Sequence, residues 1–209
     1  SVAMVAGPSV ALGVASPHVI DLASTYATFA SQGIYAKPYI ISEVLGSNQG
    51  VLFQSQVQAQ KVFDPNVMAD LTTALQGVTK RGTAAAALAD FPRPSAGKTG
   101  TTTDNAAAWF NGYTPQLATT VALFRDDATQ TLNGIGGLNA VTGGSFPARI
   151  WSLYMKNALK GEPVLPFPPA ANIGGTDPVP MQNAVPTLDP SLAERPTPRA
   201  SAKTPAKKK

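Results

Sequence analysis

The chain has no cysteine and a single histidine in 209 residues. The first absence removes disulfides, thiolate metal sites and a cysteine nucleophile together, and leaves the redox compartment open. The second constrains serine chemistry. A Ser-His-Asp arrangement would have to run through His18, which stands in ASPHVIDLAS at the start of a helical pattern, where a histidine serves as a cap or a surface group. A serine enzyme built from this sequence therefore uses a base other than histidine. Long apolar runs are absent too. Nothing reaches the roughly 18 apolar residues of a membrane helix, and the opening SVAMVAGPSVALGVASPHVI is interrupted by Gly, Pro and His. Without an initiator Met or a basic leader, that stretch reads as neither signal peptide nor anchor. Strand- or loop-like sequence is already under way at Ser1, which leads us to expect the C-terminal piece of something longer.

Charge and proline are unevenly spread. Residues 1–185 carry ten Lys/Arg and ten Asp/Glu, whereas from Pro186 six cations (Arg195, Arg199, Lys203, Lys207, Lys208 and Lys209) face only Asp189 and Glu194. The pI near 9.4 thus says nothing about the folded body, and no nucleic-acid partner is expected. Eleven of the 19 prolines lie from Pro163 onward, in a Pro/Ala/Ser/Thr background that cannot bury a core. We place a boundary near Gly161, with a folded body at 1–161 and a basic, Pro-rich, largely disordered tail at 162–209. No ligand spacing suggests a metal site, and nothing in the chain asks for a cofactor.

The body alternates helix and strand patterns. SPHVIDLASTYATFASQG offers Ser16 as cap, Pro17 at the first turn and apolar Ile20, Ala23, Tyr26, Ala27 and Ala30 at helical spacing. Residues 39–54 read as a β-hairpin turning at Ser47 to Gly50. Asp64 then caps a helix over about 65–79, with Val67, Met68, Leu71, Leu75 and Val78 on one stripe. Three strands follow in AGKTGTT, AAAWFNGYTP and LATTVALFRDD. A last helix in FPARIWSLYMKNALKG sets Ile150, Leu153, Tyr154 and Ala158 on one face. This order describes an α+β architecture with a meander near its end. Trp109, Phe110, Tyr113, Trp151 and Tyr154 fit a sheet-and-helix core, and Asp104, Asp126 and Asp127 fit turns.

The stretch SAGKTGTTTDN, residues 95–105, admits three chemical readings. A phosphate loop needs a mobile, amide-rich turn before Gly-Lys-Thr, but Pro92 and the rigid FPRP stand there. An S-x-x-K pair, Ser95 with Lys98, needs a helix to bring the two together, which Pro92, Pro94 and Gly97 oppose. The third reading is a strand. Alternation then puts Thr99 and Thr101 on one side, Lys98 supplies a nearby cation, and Gly100 leaves the backbone open to a ligand. Such an edge takes up an extended peptide, with hydroxyls and ammonium arranged for a carboxylate, and an exposed N–H there helps hold an oxyanion. Taken alone, these five residues fit a solvated edge strand equally well.

Context decides between the two. AGKTGTT followed at once by AWFNGYTPQLATTVALF resembles the K-T-G region of penicillin-binding proteins, in particular the transpeptidase domain of class A bifunctional enzymes. PSVALGVASPHVIDLASTYATFASQG, ALQGVTKRGTAAAA and GGSFPARIWSLYM resemble further segments of that domain, so the likeness extends over about residues 8–160. It implies the serine β-lactamase/penicillin-binding-protein fold, of which this chain would hold the last three of five antiparallel strands, with apolar edges left open.

The resemblance also implies an activity, the cross-linking of peptidoglycan stem peptides ending in D-Ala-D-Ala through a serine acyl-enzyme that β-lactams trap. Carried over, Lys98 supports proton transfer and attracts the substrate carboxylate, Thr99, Gly100 and Thr101 bind substrate, and the Thr101 N–H forms half of the oxyanion hole. The family's S-x-x-K and S-x-N motifs have no credible match in these residues, which fits a fragment cut downstream of them. The nucleophile and a membrane anchor would then lie upstream, the parent would work outside the cytoplasmic membrane, and the isolated chain would be inactive. The rivals are a noncatalytic remnant or interaction module of the same fold and a serine β-lactamase, against which WFNGYTP and the Pro-rich tail speak.

Overall fold

The computed structural model describes Gly13, residues 17–127 and residues 129–174. Its centre is a three-stranded antiparallel sheet in the order β5 (Ala96–Thr101), β6 (Ala107–Tyr113) and β7 (Ala118–Phe124). Registers Thr99↔Phe110↔Val121 and Lys98↔Asn111↔Thr120 fix which side chains share a face. The Phe110 face is covered by α3 (Phe146–Ala158) and the 84–91 segment, where Phe110, Trp151, Met155, Ala84 and Leu88 are buried together. On the Tyr113 face lie α1 (Val19–Ala30) and α2 (Pro65–Lys80), with Tyr26 edge-on to Tyr113 at 6.2 Å between centroids. The expected α+β class is thus observed, with helices on both sides of the sheet.

Two short ladders link α1 to α2. β1 (Ile34–Ala36) pairs with β4 (Ala59–Lys61), and the expected hairpin forms from β2 (Glu43–Leu45) and β3 (Val51–Gln54). Its side chains are poorly covered. Leu52 is 72% exposed, and Val51 and Phe53 are exposed as well.

All three helices form, but their buried stripes differ from the apolar periodicity. The first begins at Val19 with His18 at the N-cap, exposed and 3.3 Å from Asp21; Ser16 lies outside the described residues. Ile20 and Ala27 face solvent, while Thr28 is buried and satisfies its hydroxyl on Ser24 O at 2.9 Å. In α2 the Asp64 cap is as expected, its Oδ1 accepting from Asn66 N–H at 2.8 Å. Val67 is exposed, however, and Thr72 and Thr79 are buried in its place. The reason is tertiary hydrogen bonding. Thr72 Oγ1 pairs with the Tyr113 hydroxyl at 2.9 Å, and Thr79 Oγ1 donates to Ser95 O at 2.7 Å. Those two threonines pin α2 to the end of β6 and the beginning of β5.

In α3 the expected face is the wrong one. Ile150, Leu153 and Tyr154 are exposed, and Ala148, Trp151, Ser152 and Met155 turn inward. Gly112 decides this, because a Cβ there would sit 2.9 Å from Trp151 Cε2 and 2.8 Å from Phe110 Cε1. The missing side chain is the space into which the indole fits, and the Trp151 N–H is shared between Gly112 O and Thr119 O at 3.2 and 3.1 Å. Tyr154, placed in the core by the sequence, is therefore a surface residue.

The compact unit runs through Ile173. Arg93 donates to the carbonyls of Leu159 before Gly161 and of Glu162 and Pro163 beyond it, and the Phe167 ring meets Tyr113 edge-on at 5.5 Å. Asp70 accepts the Asn172 and Ile173 N–H groups at 2.8 and 3.0 Å, which holds its carboxyl below the ordinary aspartate value. Residues 162–173, assigned to the tail from their proline content, thus lie along the body as a strap. The tail reading for residues 175–209 falls outside the described residues.

Candidate functional site

The segment Pro92-Arg93-Pro94 leads into β5, where Ala96 and Gly97 are buried and Lys98 and Thr101 are exposed. A Cβ on Gly97 would fall 2.6 Å from Asn111 O and 2.9 Å from Phe110 Cζ, so that glycine sets how closely β5 approaches β6. At Gly100 an added Cβ would meet Trp109 Cβ at 3.4 Å, an ordinary contact. The two glycines of the motif therefore differ, the first being required by packing and the second not.

Two of the competing readings fail on this geometry. GKT is followed by strand rather than by the helix a phosphate loop requires. Ser95 is buried, and three residues of strand place it roughly 10 Å along the chain from Lys98 and on the opposite face.

Thr102 N–H donates to Ala107 O at 3.0 Å across the ladder. Alternation then turns the N–H and C=O groups of Thr99 and Thr101 away from β6. Among the described residues no strand pairs with β5 on that side. Lys98 bends round to this edge, its ammonium donating to Thr99 O at 2.9 Å and retaining two further donors. Thr99 and Thr101 share the Phe110 face, as alternation requires. The Thr99 hydroxyl lies 2.7 Å from that of Thr83, and Thr101 Oγ1 accepts from the Gly143 N–H at 3.1 Å. All four expected site residues thus stand at one open strand edge.

Thr83 and Gly143 carry no functional signal in the sequence. They sit in RGT and GGS, inside segments that carried the family likeness, but nothing local says that they reach β5. Asn111 and Thr120, cross-strand from Lys98, each hold a buried side-chain oxygen without a hydrogen-bond partner. Asp127 is a turn residue as expected, its carboxylate accepting from the Thr129 N–H and hydroxyl and held below its ordinary pKa by them.

Known proteins resemble the chain in sequence and in fold. Residues 9–134 match the family model described as the penicillin binding protein transpeptidase domain. Penicillin-binding protein 1A of Mycolicibacterium smegmatis is 37% identical over 186 residues, covering 85% of this chain and 23% of the relative. Its namesake in Neisseria lactamica is 34% identical over 161 residues, covering 74% of this chain and 19% of the relative. Among solved structures, the PonA1 protein of Mycobacterium tuberculosis in complex with penicillin V superposes with a TM-score of 0.70 at 35% identity, over 82% of this chain and 47% of that one. Penicillin-binding protein 1A of Haemophilus influenzae gives 0.69 at 25% identity, over 79% of this chain and 30% of that one. The chain therefore spans about a fifth of the length of these curated relatives.

Proposed function

Because the chain belongs to the penicillin-binding-protein transpeptidase domain family, we propose that its β5 edge is the carboxylate- and oxyanion-binding side of a D,D-transpeptidase that cross-links peptidoglycan. The observation that carries this reading is the open edge itself, on which Lys98, Thr99 and Thr101 gather with outward-facing backbone groups. A stem peptide ending in D-Ala-D-Ala lies along β5 as an added strand. The Lys98 ammonium and the hydroxyls of Thr99 and Thr101 take its terminal carboxylate. Gly100 leaves the backbone accessible, and the Thr101 N–H stabilises the oxyanion as the serine Oγ adds to the scissile carbonyl. The terminal D-Ala leaves, and an amine of a neighbouring stem accepts the acyl group.

The serine is supplied from outside these 209 residues, which hold no credible S-x-x-K or S-x-N. β-Lactams enter by the same route, their carboxylate standing in for that of the peptide. The parent enzyme is anchored in the cytoplasmic membrane and works outside it. No helix among the described residues is long and apolar enough to cross a membrane.

Intact-mass analysis after incubation with a labelled penicillin tests the proposal, on this chain alone and mixed with a recombinant upstream half carrying S-x-x-K and S-x-N. The expected result is an adduct on the upstream half in the mixture and none on this chain alone. An adduct on the isolated chain, or none in a mixture whose two parts are folded, overturns it.

A further inference from the structure

We infer that the Gly143 amide and the Thr83 hydroxyl are positioning groups that leave one hydroxyl proton on Thr101 and one on the Thr83–Thr99 pair for the ligand carboxylate. The inference rests on the transpeptidase reading and adds to it two residues outside the K-T-G motif. An N–H can only donate, so in the 3.1 Å bond from Gly143 the Thr101 oxygen must be the acceptor. Its own proton is then free to point elsewhere. Thr83 and Thr99 share one 2.7 Å bond between two hydroxyls, so whichever donates, one proton of the pair remains available. The edge thus offers two hydroxyl donors beside an ammonium, the complement a carboxylate needs.

The loop that supplies the amide is held closely. A Cβ on Gly143 would fall 2.2 Å from Trp109 O and 2.7 Å from Gly100 O, and one on Gly144 would fall 2.1 Å from Thr83 O. The glycine pair is therefore wedged between β5–β6 on one side and Thr83 on the other. Its far end is fixed by α3, since Ala148 N–H donates to Gly143 O at 3.2 Å and Ser145 closes the turn on Thr142. Any side chain at 143 has to lift the amide away from Thr101.

The test is acylation kinetics in the reconstituted pair, using a penicillin with its free carboxylate and the same penicillin as its methyl ester. Gly143→Ala should slow acylation by the free acid about tenfold or more, the order of one lost hydrogen bond to a charged group. Since that variant can also disturb folding, the deciding pair is Thr83→Val, which keeps the shape, and Thr83→Ser, which keeps the hydroxyl. Thr83→Val should slow the free acid roughly five- to tenfold, Thr83→Ser should restore the rate to within about twofold, and the ester should respond to neither. A wild-type rate in Thr83→Val, or equal losses on acid and ester, overturns the positioning role while the transpeptidase reading stands. An unsubstituted pair that gives no adduct with either compound defeats that reading and this inference with it.

Discussion

The hydrogen bond between Thr72 and Tyr113 should behave as a coupled pair in a thermodynamic cycle. Tyr113 is fully buried, and its hydroxyl meets Thr72 Oγ1 at 2.9 Å where α2 crosses the end of β6. Thr72→Val keeps the volume but leaves a buried phenol unpaired, at a cost of about 1–3 kcal/mol. For a body of this size that corresponds to a fall in Tm of roughly 3–10 °C. Tyr113→Phe should cost a similar or smaller amount, because it strands the threonine hydroxyl instead. With both partners made apolar no group is left unsatisfied, and the double variant should lie within about 1 kcal/mol of the original. Equilibrium denaturation of the four proteins, followed by circular dichroism and Tyr/Trp fluorescence, measures the cycle. If the single losses simply add, the two hydroxyls are not coupled and the account of how α2 is fixed to the sheet is wrong.

Further outcomes follow from particular contacts. Gly97→Ala places a methyl group 2.6 Å from Asn111 O and should destabilise by about 1–3 kcal/mol in thermal unfolding; Gly100→Ala meets only an ordinary contact and should stay within about 1 kcal/mol. Burial, with the neighbouring Tyr113, pushes Tyr26 up to about 12, and burial raises Tyr113 as well, opposed by its bond to Thr72. Raised folded values mean that this stability is fully present below the unfolded tyrosine value of about 10 and is lost as pH rises from there through the folded values. Ultraviolet titration should show late ionisation at Tyr26 and Tyr113, and ionisation of either at the ordinary tyrosine value would contradict it. Asp70 is shifted the other way, so its hold on Asn172 and Ile173 is present above the ordinary aspartate value and lost as pH falls through the lower folded one. Amide exchange at those two residues should accelerate there relative to the intrinsic rate, and no change would refute the clasp.

Much of the fold was legible because local chemistry and tertiary structure agree. β-Branched and aromatic runs mark β5, β6 and β7, and Asp64-Pro65 marks the start of α2. The buried faces were less legible because they depend on distant partners. Thr72 and Thr79 are polar in sequence but are satisfied by Tyr113 and Ser95 across the fold, and Trp151 is drawn inward by the space above Gly112. The strap is illegible in the sequence for the same reason, its order coming from Arg93 and Asp70 rather than from its own composition. At the candidate site, strand alternation alone placed Thr99 and Thr101 together. Their supports, Thr83 and Gly143, are 16 and 42 residues away and carry no local sign of that contact.

The measurement closest to the central claim is the acylation rate constant of the reconstituted pair with Lys98 replaced by Ala. The ammonium is the charged group of the β5 edge, and its removal should slow penicillin acylation about 100-fold or more, the usual scale for losing a preorganised electrostatic contact in an active site. The unfolding midpoint should change little, because Lys98 is exposed and among the described residues bonds its neighbour's carbonyl alone. A Lys98→Ala pair that acylates at the unsubstituted rate would show that this edge does not face the reacting serine.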